Sequence, residues 1–170
     1  MISLHNLARL PSGTRAIIDT NIFVYCVANH PKFGPACRQV IQRVESGDLE
    51  AVVPPVVLNE LLHRLMIGEV IDQGLAGSVP EAIVRLKEDS SVIPKLSVPW
   101  EVYNALPEMG FLLPEQEKGF TDLTYSLSRR FSLMAKDAAI ISFAQMHRIQ
   151  HIISNDRDFG RVPWITCWHP

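Results

Sequence analysis

Ala16-Ile17-Ile18-Asp19-Thr20-Asn21 is a short apolar run that ends abruptly in polar side chains. Runs of this kind form strands buried on both faces of a parallel sheet, where neither face meets water. Working outward, residues 22–28 read as a helix closing near Asn29-His30-Pro31. The same grammar returns twice. Ala51-Val52-Val53-Pro54-Pro55 places a strand over 49–53, and Pro55 suits the first turn of a helix through Leu61, Leu62, Leu65 and Met66. Ile152-Ile153-Ser154-Asn155-Asp156 closes another strand, 151–154, and a last one is expected over 165–168.

Between these runs the apolar spacing turns helical. Ala36, Cys37, Val40, Ile41 and Val44 lie on one face of a helix over 35–46, and Gly47 follows as its stop. Ser78-Val79-Pro80-Glu81 has the form of a capping box ahead of a helix over 80–87. Pro94, Pro99, Pro107 and Pro114 then break the chain into short pieces, with a short strand at Phe111-Leu112-Leu113. A helix over 114–130 turns Phe120, Leu123 and Leu127 inward, and Ser132 caps the next, 133–147. Strands alternating with helices imply an α/β sandwich around a mostly parallel sheet. At 170 residues the chain makes one domain able to bury its own core.

Composition narrows the function. The net charge of −2 argues against a basic coat that grips nucleic acid by charge alone. Cys26, Cys37 and Cys167 are odd in number and form no C-x-x-C pair, which fits free thiols in a reducing, cytoplasmic setting. Residues 1–13 lack the apolar core of a signal peptide, and no run approaches the roughly 20 residues that cross a bilayer, so no membrane partner is expected. Walker loops, G-x-G-x-x-G, G-x-S-x-G and H-E-x-x-H are all missing.

What remains is acid at the ends of elements. In a parallel sheet the ligand site lies beyond the carboxyl ends of the strands, where Asp19 and Asp156 would stand, with Glu60 in the first turns after the second strand. Asp19 alone would read as a helix N-cap, but Thr20 and Asn21 can cap equally well. Glu60 alone would be a solvated helix residue, and the single Glu60-x-x-His63 lacks the second copy a di-iron bundle needs. Asp137 shares a helix face with Ile140, Ile141 and Ala144, where a carboxylate is costly unless paired or metal-bound. Asp156 and Asp158 sit in polar turn chemistry, and one of them is expected to face the cleft. Asp122 lies on a solvated face and is left out, and Asp158-Phe159-Gly160 without the rest of a kinase's motifs is chance. Clustered carboxylates repel, and a hard divalent ion resolves the repulsion while activating water at a phosphate. Haloacid-dehalogenase-like phosphatases want a second Asp where this chain has Asn21. Arg64, Lys136, Arg157 and the Arg129-Arg130 pair are basic groups available to a phosphate backbone.

Ile17-Ile18-Asp19-Thr20-Asn21-Ile22-Phe23-Val24-Tyr25 resembles the opening of PIN-domain nucleases. Val57-Leu58-Asn59-Glu60-Leu61, 137–144 and Ser154-Asn155-Asp156-Arg157-Asp158-Phe159 resemble their later acidic motifs, in the same order. The resemblance implies a three-layer α/β/α sandwich and a Mg²⁺- or Mn²⁺-dependent ribonuclease selective for single-stranded RNA. It makes Asp19, Glu60, Asp137 and Asp156 the catalytic and metal-binding acids, adds Asp158 to the metal set, and gives Ser154 and Thr20 the task of orienting waters or acids. Many relatives are VapC-type toxins, homodimers silenced by an antitoxin protein. Against their compact form, this chain carries an N-terminal extension, 1–15, ahead of a single domain over 16–170, and a long segment, 67–113, that reshapes substrate entry or serves a partner. A non-toxin nuclease, a metal-dependent phosphodiesterase acting on small substrates, and a non-catalytic module binding RNA or protein stay open as alternatives.

Overall fold

A computed structural model describes residues 4–170. Its sheet has five strands, β1 (Leu4–Asn6), β2 (Arg15–Ile18), β3 (Glu50–Val52), β4 (His151–Ile153) and β5 (Thr166–His169), in the order β1-β5-β4-β2-β3. Every pairing is parallel, so the sheet expected to be mostly parallel is so throughout. Helices flank it as a three-layer α/β/α sandwich. These are α1 (Thr20–Val27), α2 (Gly34–Glu45), α3 (Pro55–Asp72), α4 (Val79–Glu88), α5 (Val98–Glu108), α6 (Phe120–Phe131) and α7 (Ala135–Met146). Ile17, Ile18, Ile152 and Ile153 on the two central strands are fully buried. Each contributes roughly 1.5–3 kcal/mol by leaving water. No helix among the described residues is long and apolar enough to cross a membrane.

The residues ahead of Ala16 do more than extend the chain. Residues 1–3 of that expected extension lie outside the described residues, but Leu4–Asn6 pairs with β5, and Leu7 and Leu10 enter the main core. Pairing there covers a ladder of backbone groups that β5 would otherwise leave open.

The proline-broken middle is more helical than its punctuation suggests. Pro99 lies in the first turn of α5, where its missing N–H costs nothing, and Pro107 lies in the last turn, so the eleven-residue helix holds both of them near its ends. The second half of α3, α4 and a 3₁₀ turn at Ser90–Lys95 enclose a separate small core of Ile67, Val70, Ala82, Val92 and Leu96. Ser78 accepts from the Glu81 N–H as expected, while Glu81 reaches back to the Gly77 N–H instead of closing the box on Ser78. The expected strand at 111–113 reduces to one bridge, Leu112 beside Val52. The helix expected from Pro114 starts only at Phe120, after Gly119 at φ +84°. Ser132, expected to cap the following helix, instead ends α6 at φ +52°, and α7 begins after Met134.

Candidate active site

The strand order reverses between β2 and β4. From β2 the chain crosses to β3 on one side, then returns through α3–α7 to lay β4 against the other side of β2. Such a switch point opens a crevice at the carboxyl ends of the two strands. Ile18 and Ile153 are in register, and the Asp19 N–H donates to the Ile153 carbonyl at 3.0 Å. Asp19 and Ser154 therefore leave the sheet side by side although 135 positions separate them.

Asp19 is 1% exposed and heavily bonded. Its Oδ2 accepts from the Ser154 hydroxyl at 2.7 Å and the Asn21 amide at 2.6 Å, and its Oδ1 accepts from the Thr20 N–H at 2.7 Å. The last bond makes Asp19 the N-cap of α1, a task the sequence had left to Thr20 or Asn21.

Glu60, in the second turn of α3, accepts from the Thr20 hydroxyl at 2.8 Å and pairs with Arg64 at 3.1 Å. Its strongest partner comes from α7: the Lys136 Nζ lies 2.7 Å from Glu60 and 3.3 Å from Asp19 Oδ1. Burial by itself would raise the Glu60 pKa, but the Lys136 and Thr20 hydrogen bonds and the lysine's charge hold it below the ordinary value. Burial likewise opposes the Lys136 charge, and Asp19 and Glu60 more than offset it, raising its pKa. His63 is exposed.

Asp137, in the first turn of α7, is 7% exposed and accepts no hydrogen bond from the described residues. Lys136 beside it is spent on Asp19 and Glu60. Burial, then the Asp156 charge, push the Asp137 carboxyl up to about 6; Lys136 opposes this, and Asp19 and Asp158 add to it. The same field reaches Cys167 on β5, whose thiol is raised to about 12 by burial and then by Asp19 and Asp156, so it stays protonated.

Asp156 follows β4. Its N–H donates to the Ser154 hydroxyl, and its Oδ1 accepts from the Asp158 N–H, each at 2.9 Å. Asp158 turns toward Arg161 at 2.8 Å. The sequence-predicted acids thus fall into two linked sets, Asp19 with Glu60 through Lys136, and Asp137 with Asp156 and Asp158 through their shared field.

These residues fit a hard divalent cation. The donors are oxygens, and Asp137 is a buried carboxylate without a hydrogen-bond donor among the described residues, which is the charge a cation would relieve. Among the described residues no three Asp, Glu, His or Cys side chains form a ready cage. Mg²⁺ does not ask for one, since it is commonly held by one or two carboxylates and keeps several waters.

Two residues escaped the sequence. Asn21 braces the site: its amide donates to Asp19 and to Ser154 (2.9 Å), and its carbonyl accepts from the Asn155 N–H at 3.0 Å. Nothing local marks that role, because the two partners it ties to Asp19, Ser154 and Asn155, are more than 130 positions away. Glu69 is a third buried acid, 7% exposed, yet it serves structure: its carboxylate accepts from the Ser97 and Val98 N–H groups at the start of α5, each at 3.0 Å. Its place on a helix face with Leu62, Leu65 and Met66 was the available signal, the same kind that singled out Asp137.

Comparison with known proteins gives the site a context. The family model described as PIN domain matches residues 16–165. Among solved structures, VapBC2 of Rickettsia felis bound to a DNA fragment from its promoter is similar in fold, with a TM-score of 0.57 at 14% identity over 92% of this chain and 98% of that one. A toxin–antitoxin complex from Klebsiella pneumoniae is similar with a TM-score of 0.54 at 18% identity over 89% and 95%. No curated protein matches.

Proposed function

Because this chain belongs to the PIN-domain family, we propose that it is a metal-dependent endoribonuclease cutting single-stranded RNA, the toxin of a toxin–antitoxin pair. The observation that carries the reading is Asp137, buried without a donor among the described residues and raised to about 6 by burial and by the Asp156 charge, at the switch point of a parallel sheet. Asp19, Glu60, Asp137 and Asp156 are assigned as the catalytic and metal-binding acids, with Asp158 in the outer part of the set. A bound Mg²⁺ or Mn²⁺ supplies water activation and charge stabilisation at the phosphorus. The chain's own groups hold the geometry. Ser154, Asn21 and the Thr20 N–H orient Asp19, and the Thr20 hydroxyl orients Glu60. Arg157, exposed at the mouth, is placed to meet a phosphate. An antitoxin partner is supported by the two toxin–antitoxin structures of the same fold, and a homodimer by the family resemblance alone.

The test is cleavage of an end-labelled single-stranded RNA in Mg²⁺ or Mn²⁺, beside a simple phosphate diester. RNA cut by the wild type, blocked by EDTA and lost in both Asp19→Asn and Asp137→Asn supports the assignment. Full cleavage by both variants removes it, and hydrolysis of the simple diester alone makes the chain a phosphodiesterase. One observation favours a non-catalytic binding module: Lys136 already neutralises Asp19 and Glu60 without a metal. Calorimetric titration with Mn²⁺ separates the two readings, since a module of that kind takes up no ion.

A further inference from the structure

We propose that the groove beside Asp156 seats one unpaired nucleobase next to the cut, with Asn155 and Tyr25 reading its edge and Arg157 holding the adjoining phosphate. The inference rests on the nuclease reading and adds to it a determinant of sequence preference. The groove is lined by Asn21, Tyr25, Asn155, Asp156 and Arg157, and measures about 440 Å³. It is wide open to solvent and lined mostly by polar groups, so what it offers is hydrogen-bonding and charge rather than enclosure. Because Asp156 is one of its walls, whatever fills it lies against the acidic site.

The walls differ in what they leave free. Asn21 is committed on both ends of its amide, to Asp19, Ser154 and the Asn155 backbone, and so forms a fixed floor. Tyr25 is held by its ring, which packs against His30 and Phe33 with centroids 4.8 and 5.1 Å away. Asn155 donates one amide hydrogen to the Tyr25 hydroxyl at 3.1 Å. That bond leaves the Asn155 carbonyl, its second N–H and the Tyr25 hydroxyl proton without partners among the described residues. One acceptor and two donors on rigid supports are the pattern that pairs with a base edge, and asparagine does so in bidentate fashion. Arg157 is exposed and has no ion-pair partner among the described residues, although an acid stands on each side of it in the chain. A guanidinium left free in a groove is suited to a phosphate oxygen pair. With a net charge of −2 the protein offers little general attraction for RNA, so local groups of this kind must supply the grip.

The experiment digests a random-sequence single-stranded RNA pool with the wild type, Asn155→Ala, Asn155→Asp, Tyr25→Phe and Arg157→Ala, and sequences the cut ends. The wild type should prefer one base at one position beside the cut. Asn155→Ala should flatten that preference by roughly 5- to 150-fold, at that position only. Asn155→Asp, which keeps the acceptors and loses the donors, should change which base is preferred. Arg157→Ala should weaken all sequences evenly and make the log–log salt dependence of KM shallower by about 0.7. Matching thermal midpoints across the set would show that the variants are folded. A wild-type preference left intact in Asn155→Ala overturns the proposal, as does a wild type with no preference beside the cut. If the wild type cuts nothing, anisotropy of the labelled pool in EDTA decides: binding weakened by Asn155→Ala and Arg157→Ala keeps the groove while the nuclease reading falls, and no binding removes both.

Discussion

Replacing Asp137 by Asn should stabilise the metal-free protein while disabling its chemistry. The wild-type carboxyl is buried, receives no donor from the described residues and feels the Asp156 charge, with its pKa raised from 3.8 to about 6. An unfolded chain gives up this proton near 3.8, whereas the folded protein keeps it until about 6. Between those values the folded state binds the extra proton, so its stability falls as pH rises through the interval and stays lowered above it. Raising the pKa from 3.8 to about 6 corresponds to at most ~3 kcal/mol, and solvent screening at the site's open mouth reduces that to roughly 1–2 kcal/mol. For a chain of this size the gain in Tm is about 2–8 °C. The assay is thermal unfolding of wild type and Asp137→Asn in EDTA, followed by circular dichroism from about pH 4 to about pH 8. The two curves should nearly meet at the acid end, separate up to about pH 6 and run parallel above it. Saturating Mn²⁺ should then raise the wild-type Tm and leave the variant almost unmoved, because only the wild type offers the full acid set. A variant less stable than wild type at neutral pH, or a gap that ignores pH, would refute the reasoning.

Lys136→Met should destabilise the metal-free protein by about 1–3 kcal/mol, since Asp19 and Glu60 lose their shared cation, and Mn²⁺ should recover much of the loss in urea titrations. Ser154→Ala takes a 2.7 Å donor from Asp19 and an acceptor from the Asp156 N–H; about 1–2 kcal/mol of stability and a measurable drop in Mn²⁺ affinity should follow, read by calorimetry. Glu69→Ala leaves the first N–H groups of α5 without their acceptor and should cost about 2–3 kcal/mol in urea unfolding. RNA cleavage by that variant should be unchanged at temperatures where it stays folded, because Glu69 braces the α3–α5 corner and has no part in the acidic site.

Ala16 to Asn21 carried most of the fold by itself. A run that is apolar on both faces needs helices above and below it, and the alternation along the rest of the chain supplies them. The acids at the ends of β2 and β4 were legible for the same reason, since a parallel sheet presents its strand ends along one edge. Asp137 was legible because a carboxylate on an apolar helix stripe is conspicuous, yet Glu69 satisfies that rule equally well and caps a helix instead. The helix between Pro99 and Pro107 was hidden because proline reads as a breaker unless its place within the turn is known.

Residue types and their periodicity determined the layers, the parallel sheet and the edge on which acids would gather, because burial and backbone geometry act over a few neighbouring positions. Only the folded chain decided that Lys136 serves Asp19 and Glu60 while Asp137 stands unpaired, that Asn21 ties two strand ends together, and that Asn155 and Arg157 open onto a groove. Those pairings join side chains scores of positions apart, and hydrogen bonds and charge–charge contacts exist only at distances that chain closure creates.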